Sequence, residues 1–229
     1  MALYAIADLH LSLGTDKPMD IFSGWNDYVE RLEKNWKSLI TQDDTVVIPG
    51  DISWAMKLEE CYEDFNFIDK LPGKKIFLKG NHDYWWATKS KIDAFLSENG
   101  FDSVSVLFNN SYLIDGFSVC GTRGWFLESE SDNDVKVLNR ELGRLRASLQ
   151  KGKELGGELV AFLHYPPIYG NQKCCEITDI LLEYKVKKCY YGHIHGASNI
   201  RNAFEGDCDG IDYRLVSCDK LKFMPILVR

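Results

Sequence analysis

The sequence predicts an α/β fold, with a parallel core sheet in its first half and a mixed arrangement in its second. Two features carry this reading. Short apolar runs alternate with helix-period stretches through the first hundred residues, as in βαβ units. Each apolar run ends in a loop bearing Gly, Asn or Asp, as strands do where the chain turns away from a sheet. The chain has 229 residues, 45% hydrophobic and 27% charged, a globular composition that excludes disorder, collagen and fibrous coiled coil. At that length, with no repeats and no long linker, one domain spanning 1–229 is expected.

The elements follow in order. Residues 3–7 (Leu-Tyr-Ala-Ile-Ala) are long enough for a buried strand. Trp25, Tyr28, Val29, Leu32, Trp36, Leu39 and Ile40 share one helical face over 25–40, with Ser23 as the N-cap. Thr45-Val46-Val47-Ile48 is a second strand, running into Pro49-Gly50-Asp51. Leu58, Cys61, Tyr62, Phe65 and Ile68 mark a second helix, closed by Pro72-Gly73. Lys75-Ile76-Phe77-Leu78 is a third strand, followed by a helix over 86–98 that stops at Asn99-Gly100. Beyond 104 the pattern changes to short strands at 104–108, 112–114 and 117–120 with Asn-Asn and Asp-Gly turns. Val135, Leu138, Leu142, Leu145 and Leu149 form the stripe of a long helix that packs on the core. Further strands are expected at 159–163, 188–191, 212–216 and 223–228, and the acidic stretch Glu128–Asp132 reads as a solvated loop.

Charge and cysteines narrow the function. Lys plus Arg number 27 and Asp plus Glu 34, a net charge of −7, which disfavours a polymeric nucleic-acid partner. Small phosphates remain compatible, because a bound cation inverts the local charge. The seven cysteines include no Cys-x-x-Cys pair, so reduced, mostly buried thiols are expected and a zinc-thiolate site is not. No apolar run reaches the length of a membrane span. The first residues read as a strand with no export signal, so a cytoplasmic location is the expectation.

All five histidines, His10, His82, His164, His193 and His195, lie just after a predicted strand. That is where α/β folds place ligand sites. Asp8-x-His10 and His193-x-His195 each put two donors two residues apart, on the same side of an extended chain. Imidazoles and carboxylates suit Zn, Mn, Fe or similar divalent ions, and Asn81 adds a neutral oxygen donor. The seven donors Asp8, His10, Asp51, Asn81, His164, His193 and His195 are too many for one tetrahedral zinc. They fit two divalent metal ions sharing a carboxylate. Gly50, Gly80 and Gly192 are expected to let the chain turn sharply at the strand ends.

The ordered series Asp8-x-His10, Gly50-Asp51, Gly80-Asn81-His82-Asp83, His164-x-Pro166 and Gly192-His193-x-His195 resembles the calcineurin-like metallophosphoesterase superfamily. The resemblance implies an αββα sandwich of two mixed β-sheets flanked by helices. It implies one metal on Asp8, His10, Asp51 and His195, and another on Asp51, Asn81, His164 and His193, with Asp51 bridging. The metals would be Mn, Fe, Zn or Mg. His82 would face the phosphate and leaving group as a catalytic acid, and Asp83 would orient its ring. Many members continue Gly-Asp-x-x with Asp or Asn; here the position is Trp54, which points to a divergent subgroup with its own substrate.

The expected activity is hydrolysis of a small phosphomonoester or phosphodiester by a two-metal-activated water. Tyr84, Trp85, Trp86, Trp125 and Phe126 offer either an aromatic substrate wall or core packing, and Arg123 either a phosphate contact or an ion pair. The competing readings are a nuclease acting on short nucleic acid and a non-catalytic metal-binding module of the same fold.

Overall fold

The computed structural model describes residues 1–125 and 132–229, so Phe126 and most of the acidic stretch lie outside the described residues. In chain order the strands are β1 (Leu3–Ala5), β2 (Thr45–Pro49), β3 (Lys74–Leu78), β4 (Val104–Val106), β5 (Tyr112–Ile114), β6 (Phe117–Thr122), β7 (Glu158–Leu163), β8 (Ile168–Tyr169), β9 (Gln172–Lys173), β10 (Lys188–Tyr191), β11 (Gly206–Cys208), β12 (Ile211–Leu215) and β13 (Ile226–Leu227). The helices are α1 (Tyr28–Leu39), α2 (Tyr62–Lys70), α3 (Lys89–Glu98), α4 (Asp132–Leu155), α5 (Cys175–Glu183) and α6 (Ala197–Ile200).

Two large sheets result. The first has the order β13-β1-β2-β3-β4, parallel except for β13. The second has the order β11-β12-β10-β7-β6-β5, parallel in its centre with antiparallel edges β5 and β11. Three apolar clusters define the layers. Leu3, Ala5, Val47, Ile76, Val119, Val160 and Phe162 pack between the sheets. Leu32, Trp36, Phe65 and Ile92, from α1, α2 and α3, cover the outer face of the first sheet. Leu138, Leu145, Leu149, Ile177 and Leu181, from α4 and α5, cover the second. This is the αββα sandwich. β2 is buried along its whole length, which is why it reads as an unbroken apolar run.

The differences from expectation have local causes. Helix α1 begins at Tyr28 and Ser23 is not its cap, because Gly24 and Asp27 both take positive φ and break the helical path. Helix α3 begins at Lys89, after Thr88 takes an extended cap conformation. The last strand shrinks to Ile226–Leu227: Lys222 and Phe223 have positive φ, and Pro225 has no N–H to give a ladder. The short pairs β8–β9 and β11–β12 were not expected as hairpins. All seven cysteines are free, five of them buried. Among the described residues, no helix is long and apolar enough to cross a membrane.

Buried Asp64 ties together the loops that leave β1 and β2. It accepts the Leu13 N–H at 2.7 Å and the Ser53 hydroxyl. Burial pushes its carboxyl up to about 6. A carboxyl raised in the folded state favours folding fully below its unfolded value and loses that contribution as pH rises through the folded one. The wild type is therefore expected to lose about 2 kcal/mol relative to Asp64→Asn between pH 4 and pH 8. Urea unfolding at both pH values checks this; a difference that stays flat means Asp64 titrates at its ordinary value.

Candidate metal centre

Five strand ends from both sheets converge on one site. Asp8 and His10 follow β1, Asp51 follows β2, Asn81 and His82 follow β3, His164 follows β7, and His193 and His195 follow β10. Asp8, His10, Asp51 and His193 all have positive φ. Non-glycine residues rarely adopt this conformation, and such strain concentrates at functional sites.

The turns are built around the donors. Gly50 has φ +90°, and a Cβ there would lie 2.6 Å from Gly80 Cα and 2.7 Å from His164 Nδ1. Gly80 serves a different purpose from the expected sharp turn: a Cβ would lie 2.1 Å from Asp51 Oδ1, so the missing side chain is space for that carboxylate. Gly192 likewise leaves room for Asp8.

The seven expected donors are all brought together. Two groups have ligand atoms within 4.8 Å of one another: Asp8, His10 and His195, and Asp51, His164 and His193. Asp51 Oδ2 lies 3.7 Å from His10 Nε2 and 3.5 Å from His164 Nε2, between the groups. Asn81 Oδ1 stands 2.6 Å from His164 Nε2 and 2.9 Å from His193 Nδ1. His10 Nε2 and His195 Nε2 face each other at 3.2 Å.

Backbone and carboxylate partners set the ring orientations. His164 Nδ1 lies 3.0 Å from the Pro49 carbonyl and donates to it, which leaves the Nε2 lone pair facing Asp51 and Asn81. His195 Nδ1 is 3.1 Å from Asp219 Oδ1, whose other oxygen accepts the Gly196 N–H at 2.8 Å. Such outer carboxylates hold ligating imidazoles in place. Asp219 was missed in the sequence, although its position just after β12, one more strand end, was a usable signal.

Asp83 differs from expectation. Its fully buried carboxylate accepts the N–H groups of Asp51 (2.9 Å), Ile52 (2.8 Å) and Gly80 (2.7 Å), and the Trp85 indole N–H at 3.0 Å. It knots the Gly50-Asp51 and Gly80-Asn81 loops together and does not orient the His82 ring. His82 donates its N–H to Asp51 Oδ1 at 2.8 Å, and its Nδ1 lies 3.4 Å from the Tyr84 hydroxyl.

The remaining aromatics divide. Trp85 is core, packed on Phe65. Trp54 stacks on His10 at 4.8 Å and approaches His82 at 4.6 Å. Trp25, placed on a helix face from the sequence, meets the edge of His10 at 5.9 Å. Arg123 forms an ion pair with buried Glu141 at 3.7 Å and lies over Trp125.

The electrostatics fit a cation site. Burial holds His10 and His164 below the ordinary imidazole range and His193 down to about 3, so these rings are neutral donors, and it lowers His82 as well. Burial opposes protonation of His195 too, but Asp8 and Asp219 outweigh it and lift it to about 10. Burial would also raise Asp8, yet His195, His164 and His10 hold it low. Asp51 is pushed up by burial and by the charge of Asp8. Two buried carboxylates among imidazoles of which all but His195 are neutral are a donor set for divalent cations, whose charge would offset both.

No curated protein matches the chain at the sequence level. Among solved structures, the fold is similar to a protein of unknown function from Aquifex aeolicus, with TM-score 0.52 and 16% identity over 99% of this chain and 95% of that chain. It is also similar to the phosphopantetheinyl hydrolase PptH from Mycobacterium tuberculosis, with TM-score 0.56 and 16% identity over 94% and 88% of the two chains. A third similar structure, from Thermus thermophilus, has TM-score 0.55 and 11% identity over 84% and 81%. At these identities the likeness concerns the fold. The family model for calcineurin-like phosphoesterase matches residues 1–197, a stretch that holds every one of the converging donors, and the chain belongs to that family.

Proposed function

We propose that the chain, acting as a single domain over residues 1–229, is a binuclear metal-dependent phosphohydrolase. The observation that carries this is the position of Asp51 Oδ2, within 3.7 Å of a nitrogen from each donor group. Asp8, His10, Asp51 and His195 would hold one divalent ion, and Asp51, Asn81, His164 and His193 the other. Bound there, the ions would supply Lewis acidity for an attacking water and charge to offset the phosphate oxygens. Asp219 fixes the His195 ring, and the Pro49 carbonyl fixes His164. The Tyr84 hydroxyl sits at His82 Nδ1 and can accept its N–H in the protonated ring, whose Nε2–H would then serve the leaving oxygen. Asp83 acts as a positioning residue by holding the two loops that present Asp51 and Asn81. The full donor set argues against a non-catalytic module, and the net charge of −7 against a nuclease that tracks nucleic acid.

Elemental analysis after Mn²⁺ loading is expected to approach two equivalents. Asp51→Ala should lose both ions, and His10→Ala mainly one. A wild-type stoichiometry that stays at one under saturating Mn²⁺ defeats the binuclear reading.

His82→Ala should keep its metal and lose about 10²–10⁴ in kcat, less for esters with good leaving groups that need no proton. Loss of an ion instead would move His82 into the coordination shell.

Asp83→Asn keeps one acceptor oxygen and turns an amide donor toward at least one buried N–H. It should cost ~1–3 kcal/mol in urea unfolding and lower Mn²⁺ occupancy. Unchanged stability and occupancy would remove Asp83 from its positioning role.

A further inference from the structure

Two cavities open beside the centre, and they differ in character. One, of about 320 Å³, is lined by Tyr165, Pro166, Tyr169, His193, His195 and Asn199. The other, of about 490 Å³, has His10, His82 and His195 in its lining, with Met19, Phe22, Trp25 and Trp54 as apolar walls. That volume is in the range of small-ligand sites.

The lining residue Phe22 is itself 53% exposed, and its own segment and the neighbouring one carry further exposed apolar side chains, Ile21 at 75%, Leu13 at 46% and Met56 at 53%. These residues come from only two segments, 11–25 and 54–57, which the Leu11–Ser53 bridge holds side by side. Lys17, in the first segment, lies with Nζ 5.4 Å from the Trp54 ring centre and 3.9 Å from Met56 Sδ, so the two segments meet over Trp54.

The direction of the chemistry selects between the cavities. In an in-line displacement the leaving oxygen departs on the side away from the attacking water, where the proton donor stands. His82 lines the apolar cavity and is absent from the lining of the other.

Resting on the hydrolytic reading above, we propose that the substrate's leaving group is a bulky, flat, apolar alcohol seated between Phe22, Met19, Trp25 and Trp54. Water attacks phosphorus, forms the new P–O bond and gives up one proton to solvent. The P–O bond to the alcohol oxygen breaks with its electron pair on oxygen, that oxygen takes the His82 proton, and His82 regains a proton from solvent, so the products are the free alcohol and the phosphate or its remaining ester. The apolar walls recognise the alcohol's carbon skeleton. The phosphoryl group stays at the donor cluster.

Phenyl and 2-naphthyl phosphates test this, each as the monoester and as the methyl diester. The two phenols are nearly equal in acidity and differ by one fused ring. With Mn²⁺-loaded protein, kcat/KM should be about tenfold higher for the naphthyl ester, since even one methylene is worth that in a fitted apolar pocket. Phe22→Ser should bring the naphthyl-to-phenyl ratio below about threefold, and Phe22→Leu should restore it. Binding of 2-naphthyl and phenyl phosphonates, read by quenching of tryptophan fluorescence, gives the same comparison without turnover. If no ester is hydrolysed but naphthyl phosphonate binds about tenfold tighter and Phe22→Ser removes the difference, the cavity assignment holds and the hydrolytic reading fails. If esters are hydrolysed but the ratio is near one in rate and in binding, the cavity assignment is overturned.

Discussion

Asp8 and Asp51 are both fully buried, and the charge of one raises the carboxyl of the other. Placing two such groups together in a protein interior is strongly unfavourable unless each is compensated. Much of the site reads as that compensation. Asp8 accepts the His193 N–H with both oxygens at 3.0 Å, and Asp51 accepts the His82 N–H. The glycines at 80 and 192 leave the volume in which these carboxylates sit, and Gly50 leaves room for Gly80 and the His164 ring. Hydrogen bonds and one protonated imidazole still leave Asp51 raised, and that residual cost is what binding of cations would remove.

The arrangement also costs backbone strain. Residues in the left-handed region cost on the order of 1–3 kcal/mol each when they are not glycine, and four donors are held there. They persist because rigid elements surround them. The strands behind each donor are buried on both faces, and Asp83 fastens two of the loops by four backbone N–H groups and an indole. The αββα layering matters to function in this way: it presents five strand ends at one edge, with a packed core behind each of them.

The donors were legible in the sequence because strand ends can be read locally. A short apolar run followed by Gly-Asp or Gly-Asn-His-Asp locates a residue at the mouth of a sheet whichever sheet it joins. Asp83 shows the limit. Adjacency to His82 suggested a partner for that ring, whereas the carboxylate turns inward to N–H groups some thirty residues earlier, at Asp51 and Ile52. Asp219 and Trp25 were missed for a related reason. One is bound to His195 across the second sheet, and the other sat on an apparent helix face until Gly24 and Asp27 broke the helix. The two-sheet layering was not readable from periodicity either, since central strands of both sheets are buried on both faces and show no alternation.

Trp54 joins the chemistry of the centre to its selectivity. The motif resemblance leads to the expectation of Asp or Asn at this position, a side chain that can hydrogen-bond to its neighbours. An indole offers a flat apolar face, and here it lies parallel to the His10 ring at an interplanar angle of 24°. The indole therefore forms an apolar wall against the imidazole. Apolar walls also thin the water around the donors, and charge interactions strengthen as the local dielectric falls. The same ring thus bounds the cavity and sharpens the field at its floor, so selectivity for the alcohol and the electrostatics of the centre are coupled through one side chain.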